Sequence, residues 1–406
     1  MKKRKKKNTS SQFKKQKIAE GKKAYLLNIR KFLQLYDCGQ VFDLIPKQAL
    51  ECLHKERIQS PKIIAGNGDA IEPETLKLFR DLIYSYIKPK EVEIKTGGPS
   101  LTIYQYLTIG MTLYCFHESL KEAKYSNAKI IKEILDKNFI FEETDAKVQP
   151  ILSSILNIFA SLESKLNRKL YFINTRFSKY TPGISNINFE MELICYKNKP
   201  VTIDIDGNKR SVFPVGWGVV NRGIEWISIK PEFNLSKEPL KVYIQSHALD
   251  RLGERIDSIN FGIAQLFLFY SLKYSVIVHF NNNLLIEYRL DVKKAGYMVV
   301  ELITDMAVIR TFLFLTNNGT PEGKKLEQLS GLKKIDKQYL AIDKLSTFQV
   351  SDLSQNNELR ELFEEAGCGS LFEIKYKSES FDDISISMAA EIAKYIKPLE
   401  TPVKII

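Results

Sequence analysis

The chain has little of what marks several large protein classes. Its five cysteines, Cys38, Cys52, Cys115, Cys195 and Cys368, are odd in number and scattered. That excludes a disulfide-stapled secreted scaffold and suits a reducing cytoplasm. No apolar run is long enough to cross a bilayer. The longest, Phe261 to Phe280, is broken by Gln265, Lys273 and His279 and reads as a buried helix followed by a strand. The first 23 residues start basic but carry no apolar stretch, so no signal peptide is expected. There is no repeat of fixed period, no Gly-x-Ser-x-Gly nucleophile turn and no His-Glu-x-x-His metalloprotease helix.

What is present is an ordinary globular composition, 44% hydrophobic and 27% charged over 406 residues. This excludes a chain disordered throughout, a collagen-like chain and a coiled-coil rod, and it leaves room for about two to four domains. The net charge of +12 is concentrated at one end. Residues 1–23 hold eleven of the 60 basic residues and one of the 48 acidic ones, so the other 383 residues are near neutral. Such a segment buries too little apolar area to offset ordering and is expected to be disordered. Its block Lys2, Lys3, Arg4, Lys5, Lys6 and Lys7 attracts phosphates by counterion release; it reads either as a contact to RNA or DNA or as a solvated tail.

Helical periodicity dominates from Ala24 to about Leu166. Leu26, Ile29, Phe32, Leu33 and Tyr36 share one face of a first helix; Leu76, Phe79, Leu82, Ile83 and Tyr86 repeat the spacing after Pro73. Ile130, Ile131, Ile134 and Leu135 do so again, as do Ile151, Ile155, Leu156 and Phe159 after Pro150. Loops are expected at Gly66-Asn67-Gly68 and Gly97-Gly98-Pro99. From about Lys169 the pattern turns to strands: Phe189 to Leu193 alternates, and Val201, Ile203 and Ile205 lead into an Asp206-Gly207-Asn208 hairpin. Trp226 to Ile229 reads as one strand. Leu240 to Thr316 reads as strand, two helices and several strands. Near the C-terminus Phe372, Ile374 and Tyr376 alternate with Glu373, Lys375 and Lys377 as a strand.

Some motifs have plain explanations. Cys52-Leu53-His54 and Cys115-Phe116-His117 hold a zinc ligand inventory, but on a helix residues two apart point about 200° apart, so no metal site is expected. Asp204 to Asn208 lacks the ligands of a calcium loop and is a turn. Gly319 to Lys325 lacks the phosphate-loop spacing; Thr320 as N-cap with Pro321 behind it reads as a helix start. No cofactor is expected.

The informative stretch is Ser246-His247-Ala248-Leu249-Asp250-Arg251-Leu252-Gly253-Glu254-Arg255-Ile256, with Ser246 as the expected N-cap. At about 100° per residue, His247, Arg251, Glu254 and Arg255 gather within roughly 100°, while Leu249, Leu252 and Ile256 fall on the other side. An imidazole, two guanidiniums and a carboxylate on one face can hold a phosphodiester and move its proton. On spacing alone the same face reads first as that of a solvated helix with ion pairs along it.

The pattern His-Ala-x-x-Arg-x-x-Glu-Arg resembles the helix of the RelE/BrnT-like toxin family, small bacterial proteins in which such a helix packs on an antiparallel sheet. The following strands Tyr274–Phe280, Leu284–Leu290, Tyr297–Thr304 and Val308–Thr316 are similar to that family's sheet. The resemblance covers about residues 240–316. It implies metal-independent RNA cleavage, in which the 2′-hydroxyl attacks the neighbouring phosphate. His247 would be base or acid, Arg251 and Arg255 would hold phosphate, and Glu254 would orient an arginine. Arg310 would join the catalytic set, and Arg289 would bind phosphate from the sheet. An antitoxin or immunity protein is the implied partner.

The expectation is therefore an α+β multi-domain protein: a basic tail (1–23), a helical N-terminal domain (24–166), a β-rich middle (167–235), a RelE-like α+β module (236–320) and an α/β C-terminal segment (321–406). The expected function is nucleic-acid engagement in a bacterial or phage cytoplasm, as an endoribonuclease with no membrane contact. The alternative is a non-enzymatic binding or assembly protein with a degenerate toxin-like fold. The oligomeric state is left open.

Overall fold

Helix α1 (Lys2–Leu35) runs straight through the basic segment whose composition reads as disordered. The difference has a physical source. Lys, Arg and Gln are good helix formers, and helix growth is cheap once a nucleus exists. The nucleus is the end of α1, where Ile29, Phe32 and Leu33 are buried, as their spacing predicts, with Tyr36 just beyond. Residues 13–21 are exposed along the same helix.

The structure is a computed structural model of mixed α+β class that describes residues 2–93, 99–138, 141–177, 188–205, 207–230, 238–350 and 352–374. Gly97, Gly98, Asp206 and the expected strand residues Lys375, Tyr376 and Lys377 lie outside the described residues. Two units emerge: Met1–Phe159 with Ile173–Ile194, and Ala160–Phe172 with Cys195–Ile406. Among the described residues, no helix is long and apolar enough to cross a membrane.

In the first unit, α1 is followed by α2 (Gln40–Leu44), α3 (Lys47–Lys55), β1 (Gln59–Ala65), α4 (Pro73–Ile87), β2 (Glu91–Glu93) and β3 (Ser100–Thr102). A short α5 (Ile103–Gln105) then opens into a π-helix, Tyr106–Gly110, before α6 (Met111–Ser119), α7 (Ala128–Asn138) and α8 (Phe141–Glu163). Pro73 starts α4, which buries Phe79, Ile83 and Ile87. Pro150 does not start a helix; α8 continues through it. Val148, Leu152 and Leu156 are buried at four-residue spacing, so the apolar stripe spans the proline and holds both sides of it together. Strands β4 (Lys169–Phe177) and β5 (Asn188–Lys197) complete a three-stranded sheet, β1-β5-β4, in which β1 and β5 are parallel. The predicted alternation along β5 holds, with Phe189, Met191, Leu193 and Cys195 buried.

The second unit carries β6 (Val201–Ile205), β7 (Asn208–Pro214), β8 (Gly216–Val219), β9 (Gly223–Trp226), β10 (Ser228–Ile229) and β11 (Leu240–Gln245). The β6–β7 hairpin forms as its turn residues predict: Ile205 faces Asn208, Gly207 has a φ of 74°, and its N–H donates to Asp204 Oδ1 at 2.9 Å. Trp226 to Ile229 is two strands rather than one. Ile227 separates them; its N–H donates to Val215 and its carbonyl accepts from Val242.

Then come α9 (Ser246–Arg255), α10 (Phe261–Lys273), β12 (Ile277–Phe280), β13 (Asn283–Leu290), β14 (Lys293–Ile303) and β15 (Met306–Phe314). The expected order of strand, two helices and strands is present. The sheet runs β12-β13-β14-β15-β11-β7-β6; β12 to β15 are antiparallel, and β11 lies parallel to β15. Gln245, not Ser246, occupies the N-cap of α9 and supplies no side-chain bond; Ser246 is already helical.

Among the described residues four short helices follow: α11 (Pro321–Ser330), α12 (Lys334–Tyr339), α13 (Leu345–Val350) and α14 (Asn357–Glu365). Thr320 caps α11 as expected, accepting from Gly323 N–H at 2.9 Å. The expected strand at Phe372 is instead a 3-10 turn, Gly369–Glu373. Its side chains pack on a cluster rather than along an edge, with Phe372 against Phe348 and Phe363. One core gathers Trp217 from the β-rich segment, Leu252 and Ile309 from the motif region, and Phe348 and Phe363 from the C-terminal helices. Helices this short cannot enclose a core of their own, so segments that read as separate share a single interior.

Removing residues 2–23 should leave the melting temperature nearly unchanged, because the one ion pair it removes among the described residues, Lys22 with Glu51, is screened by solvent. Phe32→Ala should cost about 3–5 kcal/mol in urea unfolding, since Phe32 is 3% exposed. Unfolding of the truncated chain would show that the basic segment belongs to the folding unit.

Candidate functional site

Helix α9 presents the motif as its amphipathic pattern requires. Ala248, Leu249 and Leu252 are buried against the sheet, and Ile256 closes the apolar row. His247 and Asp250 are exposed. His247 makes no hydrogen bond or ion pair among the described residues.

Each arginine of the constellation is held by a carboxylate. Arg251 Nη1 donates to Glu254 Oε2 at 2.6 Å one turn along the helix, with the two side chains 41% and 52% exposed. Solvent screens such a pair strongly. Arg255 pairs with Asp343, and here the side chains are 16% and 7% exposed. Burial pushes the Asp343 carboxyl above its ordinary range, a rise that the Arg255 guanidinium only partly counters. Two residues on, Asp257 accepts from the Ser346 backbone N–H at 3.0 Å and from its hydroxyl at 2.8 Å. The end of α9 is thus tied to the start of α13 by two carboxylates.

The two sheet arginines do not join this face. Arg310 pairs with Glu301 of β14. Arg310 is the extra residue of a β-bulge, so its face is read from its partner: Glu301 stands opposite Val308, which packs with Ile203, Ile205 and Val212, whereas Ala307 and Ile309 face the core that holds α9. Arg310 therefore lies on the side of the sheet away from His247 and Arg251. Arg289 pairs with Glu287, whose other oxygen meets Lys294 at 3.3 Å, and Lys294 in turn pairs with Glu322. The result is an alternating chain of four charges with no net charge. Burial lowers the affinity of the Lys294 amine for its proton, yet the bonds to Glu322 and Tyr297 outweigh that and raise it. A cavity of about 310 Å³ beside Arg289 also contains Glu287 and Asp291, so its lining is acidic on balance.

The structure thus brings His247, Arg251 and Glu254 to one exposed face, places Arg255 in a buried tie, and separates Arg310 and Arg289 from both. The Cys-x-His pairs are likewise spread. His54 sets its ring edge on Tyr25, with 5.7 Å between centroids, beside an exposed Cys52. His117 Nε2 meets Asp136 Oδ1 at 2.5 Å, and Cys115 is exposed. Among the described residues no three His, Cys, Asp or Glu side chains converge as metal ligands would.

One buried titratable group escaped the sequence reading. Lys337 on α12 is 2% exposed, and its ammonium donates to the carbonyls of Thr316 (2.9 Å) and Gly323 (2.7 Å) and to Asn318 Oδ1 (2.5 Å). In sequence it is one lysine among many, with no motif around it. Burial lowers its pKa from 10.5 to about 8. Three acceptors occupy all three protons, so the group is a latch on the loop after β15 rather than a nucleophile.

Arg255→Met should destabilise the fold by about 3–5 kcal/mol, by leaving the Asp343 charge buried alone, and Arg255→Met with Asp343→Leu should recover most of it; Arg251→Ala should cost under about 0.5 kcal/mol. Equal effects of Arg255→Met and Arg251→Ala in urea unfolding would contradict this. For Lys337, both folded and unfolded chains hold the proton below pH 8. Between about 8 and 10.5 the unfolded chain keeps a proton that the folded chain has released. Stability relative to Lys337→Met should therefore rise with pH across that window, and a flat difference would be the contrary result.

No family model, no curated protein and no solved structure matches this chain.

Proposed function

We propose that this chain is a non-enzymatic nucleic-acid-binding protein whose toxin-like helix is a structural tie. The carrying observation is the charge pairing around the motif: Arg251, Arg255, Arg289 and Arg310 each face a carboxylate, and the Arg255 pair is buried. A scissile phosphate would have to displace Asp343 from a site where an unpaired carboxylate is costly. The strand–helix–helix–strands order of β11 to β15 supports reading residues 236–320 as a module of RelE-like fold that has kept its scaffold. An antitoxin or immunity partner belongs to the nuclease reading and is not proposed.

Support for the nucleic-acid partner comes from α1. Eleven basic residues lie in the first 23, on a helix whose buried residues Ile29, Phe32 and Leu33 lie toward its other end. Such an arm can lie along phosphates without a folded pocket, and the near-neutral remainder adds little long-range attraction. Five free thiols, three of them buried, suit a reducing, cytoplasmic setting.

A ribonuclease is the second reading, favoured by the exposure of His247 one turn from Arg251 on the same face. A single-stranded RNA separates the two. The full chain should bind it with a steep dependence of log K on log salt. Removing residues 2–23 should lower that slope by roughly 0.7 for each phosphate the arm had neutralised. The RNA should remain intact in EDTA and in magnesium. Cleavage that His247→Ala abolishes would establish the nuclease instead, and an unchanged salt slope would remove the arm from the interface.

A further inference from the structure

A second concentration of positive charge, besides the basic arm, lies in the first unit. A cavity of about 530 Å³ is bounded by α1, the β1 edge, the end of α4 and the π-helix. Its lining includes Lys31, Arg57 and Lys88 and no Asp or Glu. Among the described residues none of these three cations meets a carboxylate. On the same helix, Lys22 and Arg30, which do not line the cavity, do meet carboxylates, Glu51 and Asp43. Three like charges thus line one cavity whose wall holds no carboxylate, which favours an anion there.

The cations are not equally mobile. Arg57 donates from Nη1 to the His54 carbonyl at 2.5 Å, and its guanidinium lies over the Tyr25 ring, 5.7 Å from the centroid. It is held in place, with the rest of its donor fork available. Lys88 sits 5.0 Å from the Tyr84 ring centroid. Burial first, then Arg57 and Lys22, depress the pKa of the nearby His54.

The remaining walls suit more than a bare phosphate. Tyr25, Phe32 and Tyr104 supply aromatic surface, and Tyr104 is braced through a 2.6 Å bond between its hydroxyl and Ser60. Thr108 and Ile109 come from the π-helix Tyr106–Gly110. Such helices are rare, cost hydrogen-bond geometry and recur where a wall must be shaped for a ligand. The volume falls within the usual range for small-molecule sites, roughly 300–1,000 Å³.

We propose that this cavity is a binding site for a nucleoside phosphate, with Arg57, Lys31 and Lys88 on the phosphate and the aromatic wall against the base. The ligand chemistry is shared by a free mononucleotide and by the phosphorylated end of a strand. The inference is independent of the basic arm of α1, because Lys31 lies beyond residue 23.

Calorimetric titration of the full chain at physiological salt tests it, with adenosine 5′-monophosphate, adenosine, inorganic phosphate, and a pentanucleotide with or without its 5′-phosphate as probes. The expected result is that adenosine 5′-monophosphate or the phosphorylated pentanucleotide binds. Affinity should fall at least tenfold in Lys31→Gln/Lys88→Gln. Both lysines are exposed, so the free variant should melt as the wild type does. Binding of the mononucleotide identifies a free nucleotide as sufficient; binding of the phosphorylated pentanucleotide alone identifies a strand end. Three results would overturn the proposal: no binding of either phosphorylated probe, unchanged binding in the double variant, or inorganic phosphate binding as tightly as the mononucleotide. Loss of mononucleotide binding on removing residues 2–23 would assign it to the arm and overturn it equally.

Discussion

A guanidinium and a carboxylate that are both nearly out of water must stay together, and the Arg255–Asp343 pair is such a couple. Its position at the end of α9 sets the roll of that helix. With Arg255 turned toward Asp343 and Leu249, Leu252 and Ile256 turned toward the core, His247 and Arg251 have only the solvent side left. The Asp257–Ser346 bonds repeat the tie within two residues. A helix whose residue types suit phosphodiester chemistry is thereby engaged in holding the C-terminal helices to the sheet.

The two units treat charge differently. In the second, the arginines singled out in the sequence are neutralised locally: Arg289, Glu287, Lys294 and Glu322 alternate, Arg310 meets Glu301, and the buried Lys337 ammonium is shared among three oxygen acceptors. These pairings weaken the local attraction of those arginines for a phosphate. In the first unit Lys31, Arg57 and Lys88 converge without a counter-charge among the described residues. Affinity for anions is thus expected where the motif is not, and the near-neutral body conceals it because opposite charges elsewhere cancel in the sum.

Legibility tracked the range of the interactions involved. Local signals read well: the β6–β7 turn at Gly207, the Thr320 cap of α11, the alternation of β5 and the apolar face at the end of α1 each rest on contacts within a few residues. Errors arose where burial of neighbouring side chains overrode a local signal. Composition marks residues 1–23 as disordered, but a helix nucleated by Ile29, Phe32 and Leu33 propagates back through them. Pro150 looks like a helix start, yet the stripe Val148, Leu152 and Leu156 carries α8 past it. Phe372 and Ile374 alternate like a strand, and the aromatic cluster with Phe348 and Phe363 draws Phe372 into a turn instead.

By itself the sequence determined the α+β class, the concentration of charge at one end, the order of elements around α9 and the set of side chains on its polar face, because each depends on composition or on a fixed period of 2 or about 3.6 residues. The tertiary structure alone decided which of those side chains are free. Arg255 and Asp343 are 88 residues apart, and Lys31, Arg57 and Lys88 come from three separate stretches of the chain. No periodicity encodes such a pairing or such a convergence. Both follow from how the buried faces stack, which turns a helix of catalytic composition into a tie and gathers three unremarkable cations around one cavity.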